Sequence, residues 1–517
     1  MDRQEQAGRQ GAQLTQDDGL QAAKPGAESA GAWRRAAIAA VLLLTGLRLL
    51  YLAISPIELD FEEAQYWLWA QDPAWGYFSK PPLIAWLIAA STAVLGDGEF
   101  GVRAWSPLLH GATALVLGAI GQRIAGPRVG FWSALAYATL PGVSFSALLM
   151  TTDVPLTFAW SLALYAFLRL GERDGRAWAI LGGAAAGVGL LAKYTMLFFL
   201  PAALLALLLL PDWRRRIGPG RLWIFAGVAL ALILPNIFWN VGNGGVTLGH
   251  TIELAAAGGA HANADTILAF AGGQLAIAGP LFIAMAAAVG AGTVAMRRPE
   301  GTADRTMLVF ACFVLPLLVV YVPLALLTRA NANWTAMAYV AATVAAVIFG
   351  LAPGRRFWIR PIVAAQLALA VLGPIVIIAA PHLGLGFADR LLDRVSGWRE
   401  MGRALDAKLA QIPGTKVLFF DPTLAKRLIY YGRLERDGFV MWNPEQVPHN
   451  ELDRQASLAP DSAGRWLLVT AQPPAAAVLA KSFAEIGAPA ELTATLPGGR
   501  TRGLVLQELA GFKGYQP

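Results

Sequence analysis

Between residues 34 and 380, apolar runs of roughly 17–25 residues follow one another with hardly a charge inside them, and this repetition limits the chain to one kind of fold. A bilayer core offers no water to unpaired backbone groups, so such runs cross it as helices that satisfy their own N–H and C=O groups. About eleven can be delimited, at approximately 34–54, 103–122, 129–148, 154–170, 177–192, 195–211, 222–240, 266–295, 306–327, 334–351 and 361–380. A further run, 81–96, is short and opens on two prolines, so it reads as an interfacial or re-entrant helix. Only 15% of the 517 residues are charged, against about 25% in an ordinary soluble domain.

The charges that remain are ordered. Arg123 and Arg128, then Arg169, Arg173 and Arg176, then Arg214, Arg215, Arg216 and Arg221, then Arg297, Arg298 and Arg305, then Arg355, Arg356 and Arg360 fall in every second connection. Positive residues stay on the cytoplasmic side of short loops, which places the N-terminus inside. The opposite connections hold only Lys80, Arg103 at a boundary, Lys193 and Arg329. The net charge of +7 is thus spent on orienting helices, and nucleic acid is not an expected partner. Cys312 is the only cysteine and lies in an apolar run, which excludes an intramolecular disulfide or a cysteine-based metal site.

Three regions follow. Residues 1–32 are polar and read as a disordered cytoplasmic tail before a retained signal-anchor helix. Residues 33–383 form the transmembrane part, with a first outer loop at 59–100. From 384 to 517 charges return and strand-like runs appear at 416–420, 439–442, 466–470, 491–496 and 503–506, with helical patterns at 423–431 and 474–486, as in a small outer α/β domain. It has no nucleotide-binding glycine fingerprint, and no internal repeat marks the transmembrane part as a two-half transporter.

The first outer loop opens with LDFEEAQYWLWAQDPAWGYFSKPP. Ionisable groups held against a bilayer are costly and mark function by default. Glu62 and Tyr66 are four apart and share a helix face, while Glu63 is offset by about 100° and Asp60 lies three before Glu63. Trp67 and Trp69 complete an amphipathic helix at the membrane surface. Such carboxylates suit a general base acting on a hydroxyl; a solvated acidic loop with aromatic anchors has the same spacing. Lys80, stiffened by Pro81 and Pro82, fits a phosphate ligand or a lysine snorkelling to the headgroups. Asp153, in MTTDVP, reads as a helix N-cap that can also face the site. Lys193, Arg329, Asn333, Asn240 and His250 lie on the same outer side and are site candidates on that ground, although a structural role suits each of them alone. No histidine has metal-ligand spacing.

Taken together, the acidic pair before AQYW, then GYFSKPPLIAW, TTDVPL, KYT, NxxWN and NANW resemble the bacterial ArnT/protein-O-mannosyltransferase superfamily over roughly residues 35–400. The pattern is similar to family-39-like and family-83-like members, including the rhizobial lipid A galacturonosyltransferases. The resemblance implies a GT-C fold and a glycosyltransferase that takes its sugar from a polyprenyl-phosphate carrier, with inversion. It implies that Lys80 contacts the carrier phosphate and that Asp153 is the second acid. The family's first loop reads Asp-Glu with the Asp as catalytic carboxylate; here Glu62 takes that place and Glu63 follows, so the base is Glu62 or the nearby Asp60. In the aminoarabinose enzymes an acid before the lysine is linked to a metal; here that residue is Ser79, and no metal is carried over.

The expected reaction follows from both lines. The leaving phosphate is already anionic, so catalysis needs charge stabilisation and orientation. Lys80, helped by Lys193 or Arg329, holds the phosphate; Glu62 deprotonates the acceptor, with Asp153, Glu63 and Asp60 as the other acids; Tyr66, Asn240, His250 and Asn333 bind substrate. No cofactor is required, and a divalent cation is compatible with the residues without being called for. The expected partners are the lipid-linked donor, membrane lipids and a lipid, glycan or protein acceptor, at the bacterial inner membrane with the site facing the periplasm. The residues do not name the sugar or the acceptor. Two other classes use the same charges, a flippase for lipid-linked sugars and a non-catalytic assembly subunit. Against a flippase, no span carries an acid near its middle, where a transporter builds its site.

Overall fold

The computed structural model describes residues 27–256, 264–297, 301–327, 331–352, 358–379, 392–496 and 501–515. Helices fill it up to Ala379 and a mixed α/β unit follows. Five helices, Ser29–Ile54, Glu99–Ala125, Gly175–Ala192, Pro219–Gly242 and Ile359–Ala379, are long and apolar enough to cross a membrane, or up to eight if each of three bent pairs is one span.

That is fewer than the eleven expected. The runs at 129–148, 154–170 and 334–351 are helical, but as Pro127–Thr139 (13 residues) with Pro141–Ser146, Asp153–Arg169 (17 residues) and Ala338–Leu351 (14 residues). At about 1.5 Å per residue the helices of 13 and 14 residues are shorter than a usual span, while Asp153–Arg169 reaches the lower end of the spanning range. Hydropathy registers composition and passes over the prolines that stop and restart a helix. The run 266–295 is a second correction. It is two helices, bent by 100° between Ala278 and Leu281. Gly279 has φ +58, open to glycine at no steric cost, and Pro280 follows it. The run 81–96 forms the short helix Leu83–Leu95.

The α/β unit holds β1 (Lys416–Phe419), β2 (Phe439–Met441), β3 (Arg465–Thr470), β4 (Phe483–Ile486), β5 (Ala490–Thr495) and β6 (Thr501–Phe512) in one sheet of order β2-β1-β3-β6-β4, with β5 also on β6. β1 runs parallel to β2 and β3, and the pairs made by β6 are antiparallel. The pattern at 474–486 read as one helix; it is Ala476–Ser482 followed by β4, because Phe483 turns its ring into the core beside Trp442 and Trp466.

This unit does not stand apart from the first outer loop. Leu59, Tyr66, Trp67, Trp69 and Tyr77 of the loop share one buried core with Trp398, Leu405, Leu428, Ile429 and Tyr431. Each such side chain contributes about 1.5–3 kcal/mol when fully buried. Polar clamps fix the register. The Leu59 N–H donates to the Tyr431 hydroxyl at 2.6 Å, and Trp67 Nε1 and the Tyr430 hydroxyl both donate to Asp97. The Glu58 carboxylate accepts from the Trp398 and Arg399 N–H groups at 2.6 and 3.3 Å, and burial raises its pKa. The Glu451 carboxylate accepts the Phe78 N–H at 2.6 Å, which holds the turn that carries Lys80.

Candidate active site

The helix Phe61–Ala70 begins at Asp60, whose side chain accepts the Glu62 N–H while the Glu63 carboxylate accepts the Asp60 N–H. This reciprocal cap fixes the entry of the chain. The one-residue step of about 100° then separates the two glutamates. Glu63 points inward, 2% exposed, and meets the equally buried Arg103 through two bonds of 2.8 and 2.6 Å; it also accepts the Met150 N–H at 2.9 Å. Glu63, expected among the acids of the site, is thus sealed in a buried ion pair and offers no free oxygen to a substrate. Asp60 is spent on the cap and faces Arg394 at 3.4 Å and Arg427 at 3.6 Å, which turns it toward the α/β unit. Glu62 is exposed. The hydroxyl of buried Tyr66 faces it, and the Tyr66 pKa is pushed well up by burial and by Glu62 and Asp153.

Asp153 is not an N-cap: Thr152 occupies that position and Asp153 lies in the first turn. Its carboxylate accepts instead from Lys193 Nζ and Asn333 Nδ2, both at 2.7 Å. Lys193 and Asp153 are 18% and 14% exposed, partly open to solvent. Lys80 is half-buried on the turn before Pro81, and the Tyr77 N–H donates to its carbonyl at 3.1 Å. Burial and the neighbouring Lys193 hold the Lys80 pKa below the ordinary lysine value, with Glu62 and Asp153 opposing. The structure thus gathers Glu62, Tyr66, Lys80, Asp153, Lys193 and Asn333. The His250 ring lies 5.3 Å from that of Phe78, tilted by 54°, and its pKa is lowered by burial and by Lys80. Asn240 is drawn elsewhere: it donates to the Tyr194 hydroxyl and the Asn236 carbonyl, and Asn236 Nδ2 donates to the Trp75 carbonyl at 2.6 Å. Asn236 thus ties the loop to the helix Pro219–Gly242, while Asn240 steadies Tyr194 at the end of that helix. Arg329 lies outside the described residues.

Beside this group runs an apolar cleft of about 1010 Å³ between the helices Gly175–Ala192, Phe199–Leu209 and Pro219–Gly242. One end reaches Tyr194 and Asn240, next in sequence or space to Lys193 and the loop; the other ends near Trp223. Its walls are Leu, Phe and Ala side chains, chemistry suited to an isoprenoid chain. Among the described residues no group of three or more His, Cys, Asp or Glu side chains is arranged to hold a metal ion.

The family model for dolichyl-phosphate-mannose-protein mannosyltransferases matches residues 79–239. The lipid A galacturonosyltransferase RgtD of Rhizobium johnstonii is 32% identical over 445 residues, 84% of this chain and 91% of the relative. The chain belongs to the ArnT/protein-O-mannosyltransferase family. It is accordingly a multi-pass membrane glycosyltransferase of the kind that takes sugars from polyprenyl-phosphate carriers, and the flippase reading finds no support among its relatives. The lipopolysaccharide core galacturonosyltransferase RgtA of the same organism is 33% identical over 41% of this chain and 43% of its own length. The crystal structure of ArnT from Cupriavidus metallidurans bound to undecaprenyl phosphate superposes with a TM-score of 0.65 at 18% identity, covering 92% of this chain and 98% of that one, which shows the shared fold.

Spacing alone missed the residues that position the family's site here. Arg103 lies 40 positions from Glu63, and Glu451 lies 373 from Phe78. A single arginine at the start of an apolar span, on the side otherwise poor in positive charge, was the local signal for the first. The second has none.

Proposed function

We propose that this enzyme transfers a galacturonosyl residue from polyprenyl phosphate to a lipid A or lipopolysaccharide acceptor, at the membrane face that carries the first loop and the α/β unit. The observation that carries the chemistry is the exposed Glu62 carboxylate beside two lysines, Lys80 and Lys193, at one end of an apolar cleft. The sugar and acceptor rest on the similarity to the Rhizobium johnstonii enzyme. The arginine-rich alternate loops support a cytoplasmic N-terminus and a periplasmic α/β unit.

In this reading the carrier chain lies in the cleft and its phosphate meets Lys80. Lys193, held by Asp153, adds a second positive charge, so the leaving phosphate departs into a preorganised field. Glu62 accepts the proton of the acceptor hydroxyl. The hydroxyl oxygen bonds to the anomeric carbon as the bond from that carbon to the phosphate oxygen breaks on the opposite face, inverting the centre. Tyr66 fixes the Glu62 carboxylate, and Asn333 fixes Asp153. The lysines supply the charge stabilisation that a metal supplies elsewhere, so turnover is expected to survive chelation of divalent cations. Activity abolished by chelation and restored by a metal would overturn that part.

The deciding experiment incubates purified full-length enzyme with polyprenyl-phosphate galacturonic acid and lipid A and reads the product by mass spectrometry. A gain of one uronosyl unit is expected. Transfer only from a different lipid-linked sugar reassigns the donor, and no transfer from any such donor defeats the reading.

A further inference from the structure

The helix Pro422–Tyr431 of the α/β unit brings two cations, Lys426 and Arg427, against the start of the catalytic loop helix. Each is only 7% exposed. Lys426 Nζ lies 5.7 Å from the Phe61 ring centre, and the Arg427 guanidinium 5.6 Å from the same ring and 4.6 Å from Trp398. Arg394 stands 5.9 Å from Phe61 and Arg502 stands 4.3 Å from Trp398. Four cations therefore converge on two aromatic rings.

Their counter-charges are few. Asp60 serves Arg394 and Arg427, and Asp393 serves Arg502 at 3.5 Å. Asp421, Asp453 and Glu62 influence Lys426 from a distance, and among the described residues none closes an ion pair with it. Arg427 Nε is buried with no hydrogen-bond partner. Burying cations beside one another is costly unless something anionic offsets them. The strain registers on both: burial holds Lys426 down to about 8, and burial together with Arg394 and Arg502 lowers Arg427. A purely structural role would close these pairs, as Glu63 closes Arg103.

We propose that Lys426 and Arg427, with Arg394 at the rim, bind an anionic group, phosphate or carboxylate, on the substrate that is presented to Glu62. Such a group forms charge-assisted bonds with both side chains, and the planar guanidinium suits two acceptor oxygens at once. The proposal rests on the transferase reading of the site and adds a second anion subsite, distinct from the Lys80 and Lys193 pair. The anion has two possible sources, the phosphate of a lipid A acceptor or the carboxylate of a galacturonosyl donor.

Binding to full-length enzyme tests this without turnover. Dissociation constants are measured for phosphorylated lipid A and for free galacturonate, in wild type, Lys426→Gln, Lys426→Arg and Arg394→Gln. Lys426→Gln is expected to weaken one probe about tenfold, a typical loss for one charged partner, with most of it restored in Lys426→Arg. The probe affected names the source of the anion. Arg394 is exposed, so Arg394→Gln tolerates folding and is expected to weaken the same probe about threefold. Unchanged affinity for both probes in Arg394→Gln and in folded Lys426→Gln overturns the proposal. An enzyme that binds as described yet transfers no sugar fails the earlier reading alone.

Discussion

The ten-residue helix Phe61–Ala70 carries two adjacent glutamates into opposite surroundings. On its sealed side Glu63 and Arg103, each 2% exposed, satisfy one another and the backbone around them. On its open side the exposed Glu62, with Asp153, acts on Lys80 beside Lys193, and Lys80 has no ion-pair partner among the described residues. The same charges that lock a fold when closed become available to a substrate when left open. A pair already complete has nothing to offer a phosphate or a hydroxyl.

Substitutions on the two sides should part company. Glu62→Gln is expected to lower kcat by about 10²–10⁴-fold, the range for removing a general base, with stability within about 0.5 kcal/mol as for an exposed residue. Full turnover by that variant in the purified assay defeats the assignment. Glu63→Gln should do the reverse, costing about 3–5 kcal/mol because Arg103 is left charged and buried, with kcat per folded molecule kept within a few-fold. Thermal unfolding in detergent reads the loss, and an unchanged midpoint would mean that the pair is not the lock it looks.

Lys80 sharpens the contrast through pH. It holds phosphate only as the ammonium, and burial with Lys193 places its pKa below the ordinary 10.5. Carrier affinity is therefore lost as pH rises through that lowered value, sooner than an ordinary lysine would lose it. Lys80→Ala should weaken carrier binding about tenfold, and Lys80→Arg should move the alkaline loss upward because a guanidinium stays charged. An alkaline limb that Lys80→Arg leaves in place belongs to another group. The smallest effect is expected for Asp60→Asn, since Asn caps a helix as well as Asp does. Turnover within a few-fold is the outcome; a dead Asp60→Asn beside an active Glu62→Gln would move the base to Asp60.

Much of this was legible from spacing. The four-residue step from Glu62 to Tyr66 put them on one face, and the outer positions of Lys80, Asp153, Lys193 and Asn333 placed them on one side of the membrane. What spacing could not supply was the identity of partners far along the chain. Glu63 looked like a second acid because its partner Arg103 lies 40 positions on, and the bond of Asn240 to the Tyr194 hydroxyl is likewise tertiary and leaves no mark in local spacing. Asp153 passed for an N-cap because its sequence suits one; Lys193 and Asn333 compete for the same oxygens and win. Where a helix breaks was not legible in composition, as at Gly279–Pro280, where an unbroken apolar run turns through 100°.

The bond from Leu59 to Tyr431 joins residues 372 positions apart. Synthesis runs from the N-terminus, so the loop bearing Glu62 and Lys80 leaves the ribosome long before the segment that steadies it. A chain cut short before Tyr431 lacks this bond and the core around it, so it is expected to enter the bilayer yet transfer no sugar.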